Sequence, residues 1–298
     1  MRKLLLDTDL GSDCDDVGAC ALALHAHRAG DIRLLALTHC IGNHYGARFI
    51  RLMCDYAQID IPVGVLYDDA FMNGEKYERY AKPYCDAYPE SRAYVFEDAV
   101  RLLRRTLADN GGLRDITLAT IGPLRNIHRL LLSPPDDLSP LTGDELVRES
   151  VREGVFMLGG FEHPERPEYN VVMDIPAAKY VIEHFPAPIV YSGYEVGKHL
   201  MTGAEFAGLP EDHPCRAGYT LHMQKNHRPQ LARESWDPVT VAYAAYGTDA
   251  YFTLSDPVTV RVLDNGAFEV NPGGTSRYLI QAAPDDTLTA WLDRLMRI

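Results

Sequence analysis

The chain has 298 residues, 46% of them hydrophobic and 24% charged, the balance of an ordinary globular protein. Its 42 acidic and 29 basic residues leave a formal net charge of −13, which argues against a broad face for nucleic acid or anionic membrane. No apolar run reaches transmembrane length, and the Leu4 to Leu6 run is too short for a signal-peptide core, so a cytoplasmic protein is expected.

In chain order, Leu4 to Leu6 reads as a buried strand ending at Asp7, and Val17 to Ala29, rich in Ala and Leu, as a helix. Ile32 to Thr38 is a second strand, closed by the turn Ile41-Gly42-Asn43. Arg48 to Tyr56 is a helix and Ile61 to Val65 a third strand. Residues 67–92 break the rhythm, with Tyr77, Tyr80, Tyr84 and Tyr88 on no clean period. They read as a long loop or short helical turns, a kind of insertion that is often functional. A helix over Glu97 to Ala108 and a strand over Ile116 to Thr120 follow, and Gly122-Pro123 opens another helix. Residues 133–149 read as a polar connection, Val155 to Leu158 as a strand, Ile175 to His184 as a helix and Ile189 to Tyr191 as a strand. Pro238 to Tyr246 is a helix, Asp264-Asn265-Gly266 turns a hairpin over 258–272, and Thr287 to Met296 is a closing amphipathic helix. The alternation predicts an α/β fold, an open and mostly parallel sheet with helices on both faces, in a single domain over 1–298. The six cysteines are scattered without a CxxC pair and read as reduced core thiols.

One segment exceeds what a strand-to-helix turn requires. Asp7-Thr8-Asp9-Leu10-Gly11-Ser12-Asp13-Cys14-Asp15-Asp16 puts five carboxylates into ten positions at the end of the first strand. So many anions in one loop need a cation or hydrogen-bond donors, and hard oxygen ligands without His favour Ca²⁺ or Mg²⁺ over zinc. Open α/β sheets bind ligands at this edge. A simpler reading, that Asp13, Asp15 or Asp16 caps the helix, suits Asp13 but leaves Asp7 and Asp9 on the strand side unexplained. An EF-hand is excluded, because counting from Asp7 puts Gly11 at a ligand position and Gly18 where a bidentate Glu belongs. A phosphatase-type DxDx(T/V) loop fits poorly at Gly11.

Three further segments carry chemistry. Thr120-Ile121-Gly122-Pro123-Leu124-Arg125-Asn126 is a second strand-to-helix turn at the same edge. Glu168-Tyr169-Asn170 sets Glu and Asn two apart, on one side of an extended segment. Trp236-Asp237-Pro238 opens a helix, where Asp237 could equally be an N-cap.

In this order, these segments resemble the nucleoside hydrolases, or nucleoside N-ribohydrolases. Asp7 through Ala19 fits the family's long DTDxGxDxDDxxA loop. Ile121 to Asn126 corresponds to its (T/L)GPLTN turn, and Trp236-Asp237-Pro238 to its HDP or WDP element. Met157-Leu158-Gly159-Gly160, Glu168-Tyr169-Asn170 and Asp174-Ile175-Pro176-Ala177-Ala178 follow its MGG…EFN…DPxAA stretch, and Gly42-Asn43 a family GN. The likeness spans residues 3 to about 246 and implies a Rossmann-like sheet with Ca²⁺ at the strand ends. By resemblance, Asp9 is metal ligand and general base, with Asp16, Asp237 and the Ile121 carbonyl as the other metal ligands. Asp15, Asn170 and Asp237 hold ribose hydroxyls, Glu168 lies near the 5′ end, Asn43 lines the site and Asp7 supports Asp9. Aligning on Asp15-Asp16 makes Asp13 the extra carboxylate, whereas aligning on Gly11 makes it a ligand; the former is preferred because Asp15-Asp16 abuts the helix.

The reaction so implied is calcium-dependent hydrolysis of a ribonucleoside to ribose and free base, in a homodimer or homotetramer acting on a small nucleoside or N-riboside. Trp236, where pyrimidine-accepting members carry His, implies a purine stacked on an aromatic. The Gly160 to Glu168 loop lacks an Asn that some members place near the 5′-hydroxyl. A tyrosine of 67–92 could supply the base's opposite face, Arg125 reads as solvated, and His39, His44, His222 and His227 receive no catalytic role. Two other functions remain compatible with the residues alone: a ribose- or nucleoside-binding homologue without turnover, and a Mg²⁺-dependent phosphatase using the early Asp loop.

Overall fold

The computed structural model describes residues 1–298. Its strands are β1 (Arg2–Thr8), β2 (Ile32–His39), β3 (Val63–Val65), β4 (Glu97–Asp98), β5 (Ile116–Thr120), β6 (Val151–Met157) and β7 (Ile189–Ser192). They continue with β8 (Met201–Thr202), β9 (Arg233–Glu234), β10 (Phe252–Leu254), β11 (Val258–Val262), β12 (Phe268–Pro272) and β13 (Arg277–Gln281). Nine of these form one sheet in the order β10-β13-β7-β6-β5-β1-β2-β3-β4, parallel throughout except for the edge pair β10–β13. The expected open, mostly parallel α/β sheet is thus the observed one.

Burial explains the near-continuous apolar strands. Leu4 and Leu6 of β1 enter one core of 51 buried residues, while Leu5 enters another of 26, as alternation across a strand demands. Helices Asp15–Ala29 and Trp236–Tyr246 cover the first face; Ala99–Asn110, Arg125–Leu131 and Ile175–His184 cover the second. Helix Asp15–Ala29 is small-residue and buried almost all round, and a Cβ at Gly18 would meet the Tyr219 hydroxyl at 2.7 Å. No helix is long and apolar enough to cross a membrane. All six cysteines are buried and unpaired, as the scattered spacing predicts.

Topology positions the site. From β1 the chain runs outward through β2, β3 and β4, then returns to β5 on the other side of β1 and continues through β6 and β7. The reversal opens a crevice at the carboxyl ends of β1 and β5, where the Asp7–Asp16 and Ile121–Asn126 turns meet.

Several local expectations are corrected. Residues 133–149 are not merely a connection: Gly143–Ser150 is a helix, started by a capping box between Thr142 and Glu145. Glu168 to Asn170 is not extended, because Glu168 is the N-cap of the helix Tyr169–Met173. Helix Pro214–Lys225 escapes the sequence reading, its apolar residues being spread rather than confined to one face. The 67–92 segment does form short turns, Glu75–Glu78, Ala81–Asp86 and a 3₁₀ turn over Pro89–Ala93. The hairpin β11–β12 turns through Gly266 at φ 84°, a left-handed conformation suited to glycine.

Candidate active site

At the crevice lies a cavity of about 370 Å³ whose floor is acidic. Asp9, Asp15, Asp16, Asp237, Ile121, Glu168, Asn170 and Trp236 all line it, drawn from the ends of β1 and β5, the segment after β6 and the starts of helices Asp15–Ala29 and Trp236–Tyr246. Of the residues assigned to the site by sequence, Asn43 and Asp7 stand outside this lining.

Asp15, Asp16 and Asp237 bring one carboxylate oxygen each to within 4.8 Å of one another. All three are buried, and the Asp237 N–H donates to Asp15 Oδ2 at 3.3 Å. Asp16 accepts the Thr8 hydroxyl. None of the three forms a salt bridge, and burial first, then repulsion from neighbouring carboxylates (Asp13 for Asp15, against the attraction of Arg233), pushes each carboxyl well above its ordinary value. The close trio therefore contains Asp15, which resemblance gives to the sugar, where Asp9 was expected. Asp9 is raised to about 7, first by burial and then by neighbouring carboxylates. Gly122 allows its approach, for a Cβ there would sit 2.7 Å from Asp9 Oδ1 and 2.8 Å from Cys40 Sγ. Buried hard oxygens that no salt bridge neutralises fit a divalent cation of the Ca²⁺ or Mg²⁺ kind.

Asp7 is tied into the sheet instead of facing the cavity. Its Oδ1 accepts Thr38 Oγ1 at 2.5 Å and Asn126 Nδ2 at 2.8 Å, joining β1, β2 and the turn after β5. Burial lifts it to about 7 against these hydrogen bonds.

Asp13 has a different partner. Arg233 on β9 donates to both its oxygens, through Nε at 2.7 Å and through an Nη, and His222 Nε2 lies 3.6 Å away. Burial pushes the Asp13 carboxyl up, but Arg233 outweighs it and holds the group below its ordinary value. The expected capping role is not observed, since the N-cap of Asp15–Ala29 is Cys14, without a side-chain bond.

Glu168 is held by the N–H groups of Asn170 (2.9 Å), Val171 (3.2 Å) and Gly159 (3.3 Å), yet burial still raises it to about 7. The Asn170 amide donates to the Met157 carbonyl at 3.1 Å and the Ile121 carbonyl at 3.4 Å. Asn43, expected to line the site, instead donates to the Tyr77 carbonyl at 3.1 Å and braces the loop that passes Gly11.

The aromatic wall differs from expectation. Trp236 stacks on Tyr194 with centroids 5.4 Å apart and donates its indole N–H to the Tyr194 carbonyl at 2.8 Å; the Arg233 guanidinium lies 5.0 Å from the indole centroid. The 67–92 segment contributes Lys76 and Arg79 to the lining, not its tyrosines. Tyr84 stacks on Phe49 in the core, and the buried Tyr80 donates to the Asp13 carbonyl at 2.5 Å. Arg125 is not solvated: it donates to Asp174 at 2.6 Å and Asp68 at 3.0 Å and lies over Phe71. His39 is buried against the Leu10 carbonyl at 2.9 Å.

Sequence reasoning overlooked Tyr169, Tyr194 and Arg233. Tyr194 follows Ser192-Gly193 at the carboxyl end of β7, a position the strand pattern could have flagged. Arg233 gives no local signal.

No curated sequence matches the chain. Among solved structures it is similar to an inosine-guanosine nucleoside hydrolase (19% identity, TM-score 0.75, covering 100% of this chain and 99% of that one). It is also similar to an inosine-uridine preferring nucleoside hydrolase from Bacillus anthracis (18%, 0.71, 99% of both chains). The type III effector XopQ, solved in complex with adenosine diphosphate ribose, is a further neighbour (18%, 0.67, 99% and 92%). The inosine-uridine preferring nucleoside hydrolase family matches residues 4–278, which span every lining residue of the acidic cavity, and the chain belongs to that family of nucleoside N-ribohydrolases.

Proposed function

We propose that the protein hydrolyses purine ribonucleosides with Ca²⁺ held at the acidic floor. The observation that carries this reading is the buried trio Asp15, Asp16 and Asp237, with Asp9 and Ile121 lining the same cavity and no salt bridge to any of the four carboxylates. Asp9, Asp16, Asp237 and the Ile121 carbonyl would hold the ion, with Asp15 between ion and ribose. When bound, it neutralises the carboxylates, fixes vicinal hydroxyls and makes water at the site more acidic.

The residues then divide the work. Asp9, which lines the cavity beside the carboxylates that would hold the ion, accepts a proton from the attacking water. Asp15, Asn170 and Asp237 bind the 2′- and 3′-hydroxyls, which favours ribose over deoxyribose, and Glu168 lies towards the 5′ side. Carboxylates around the sugar stabilise the oxocarbenium-like transition state. The wall of Trp236 and Tyr194 receives the base, its large faces favouring a purine. The neighbours' names, inosine-guanosine and inosine-uridine preferring, agree with inosine as first substrate.

The test is base release by calcium-loaded protein from a panel of ribonucleosides and deoxyribonucleosides. Inosine and guanosine should be cleaved faster than uridine, and the deoxy forms slowest. No base release from any member overturns the reading.

A further inference from the structure

A second cavity, of about 420 Å³, opens beside the acidic one and shares Glu168, Tyr169 and Tyr194 with it. The two tyrosines are 45% and 46% exposed, so their side chains reach the space between the cavities. The annex differs in chemistry from its neighbour. Arg166, Lys198, His163 and His199 line it, and it contains no part of the carboxylate trio.

Its cations are weakly engaged. Arg166 and His163 touch only the exposed Glu165, at 3.9 and 3.4 Å, and Lys198 lies 5.7 Å over the Tyr194 ring. Three acidic residues also line the annex, and Glu168, at the boundary with the acidic cavity, is turned to the N–H groups of Asn170, Val171 and Gly159. Glu195 accepts the Phe161 N–H through both oxygens, at 3.0 and 3.2 Å, and Glu162 is exposed on the rim. Arg, Lys and imidazole donors around a small space are the set that recognises a phosphoryl group. Such a group could not sit on the acidic floor, where four carboxylates repel it. A position beyond Glu168 and the tyrosines separates the two charges.

We propose that the annex is a phosphoryl subsite and that the preferred substrates are ribosides carrying a 5′-phosphate. The inference rests on the hydrolase reading above, with the 5′ side of the ribose towards Glu168. The chemistry is otherwise unchanged. The C1′–N bond breaks with its electron pair going to the base nitrogen, and water adds to C1′ as a hydroxyl. The one proton that the water releases is taken by Asp9 and passed through solvent to the leaving base, and ribose 5-phosphate is the sugar product.

The experiment compares inosine with inosine 5′-monophosphate on calcium-loaded wild type and on the double variant R166A/K198A. In wild type, kcat/KM for the monophosphate exceeds that for inosine by about tenfold or more, the value of one or two charge-assisted hydrogen bonds. The double variant loses that preference through KM and leaves inosine hydrolysis within about twofold. Calorimetric binding of ribose 5-phosphate against ribose reads the annex without turnover: about tenfold tighter in wild type, equal in the variant. Cleavage of inosine but not its monophosphate, or a variant that lowers both equally, overturns the proposal. Release of base from neither compound fails the hydrolase reading, and equal binding of the two sugars then still overturns the annex. Tighter binding of ribose 5-phosphate that the double variant abolishes supports it even in that case.

Discussion

Asp9 can act only where its carboxylate is allowed to lie, and Gly122 sets that position. A methyl group at residue 122 would occupy space 2.7 Å from Asp9 Oδ1 and 2.8 Å from Cys40 Sγ. Overpacking of this size costs about 1–3 kcal/mol, whereas misplacing a reacting group by about 1 Å costs on the order of a hundredfold in rate. Gly122→Ala should therefore lower kcat about a hundredfold while the protein stays folded, as read by steady-state kinetics beside thermal melting. Retention of kcat would show that Asp9 does not need this approach. Asp13 presents the complementary case. Its charge is answered by Arg233, and Arg233→Met leaves a one-third-exposed carboxylate beside Asp15 with only the Cys14 N–H at 2.7 Å and His222 Nε2 at 3.6 Å. Full burial would make that loss about 3–5 kcal/mol, and partial exposure reduces it to about 2 kcal/mol. Urea unfolding should report this destabilisation, and an unchanged midpoint would show that solvent alone satisfies Asp13.

Elements here are joined by charges as well as by apolar faces. Helix Arg125–Leu131 meets helix Ile175–His184 through Arg125 and Asp174, and meets the loop after β3 through Arg125, Arg129 and Asp68. Asp174 also caps its own helix by accepting the Ala177 N–H at 3.3 Å. Arg125→Ala leaves Asp174 buried with only that bond, a loss of about 2–3 kcal/mol. Chemical denaturation checks it, and a change below about 0.5 kcal/mol, the range of ordinary surface substitutions, would return Arg125 to the solvated role read from sequence. This marks how far the sequence was legible. Strand-loop-helix alternation and the acidic loop were readable because their signals lie within ten residues. The Thr142–Glu145 capping box was local too, but Ser, Pro and Asp residues just before it suggested a loop. The partners of Asp13 and Arg125 lie 220 and 49–57 residues away, and no periodicity announces such pairs. The 67–92 tyrosines misled for a related reason: an aromatic near a site is as useful to the core, and Tyr80 and Tyr84 went there.

For the whole molecule, the acidic floor links stability to pH. Asp7, Asp9 and Glu168 are raised to about 7 by burial from ordinary values of 3.8, 3.8 and 4.5, and Asp15, Asp16 and Asp237 are also raised. Between about pH 4 and pH 7 these six carboxyls bind protons in the folded state without metal that they lack in the unfolded chain. They outnumber His39, His128, His213 and His222, whose values burial lowers and which act in the opposite sense. Stability must then fall as pH rises, because it follows the difference in protons bound. It is fully present below the unfolded values and is lost as the folded groups ionise. A divalent cation acts in the opposite sense, since it binds the ionised carboxylates and competes with their protons. Melting curves from pH 5 to pH 8 should show the midpoint falling with pH in chelator. With calcium at about a hundred times its dissociation constant, the gain at the upper end should be about 2.7 kcal/mol, shrinking towards pH 5. Parallel profiles with and without calcium would mean that the ion does not bind these carboxylates. A flat profile in chelator would mean instead that other groups already neutralise them. If both trends appear, the carboxylates that destabilise the empty fold are the ones that hold the ion, and the stability lost at neutral pH accompanies keeping Asp9 ready to accept a proton.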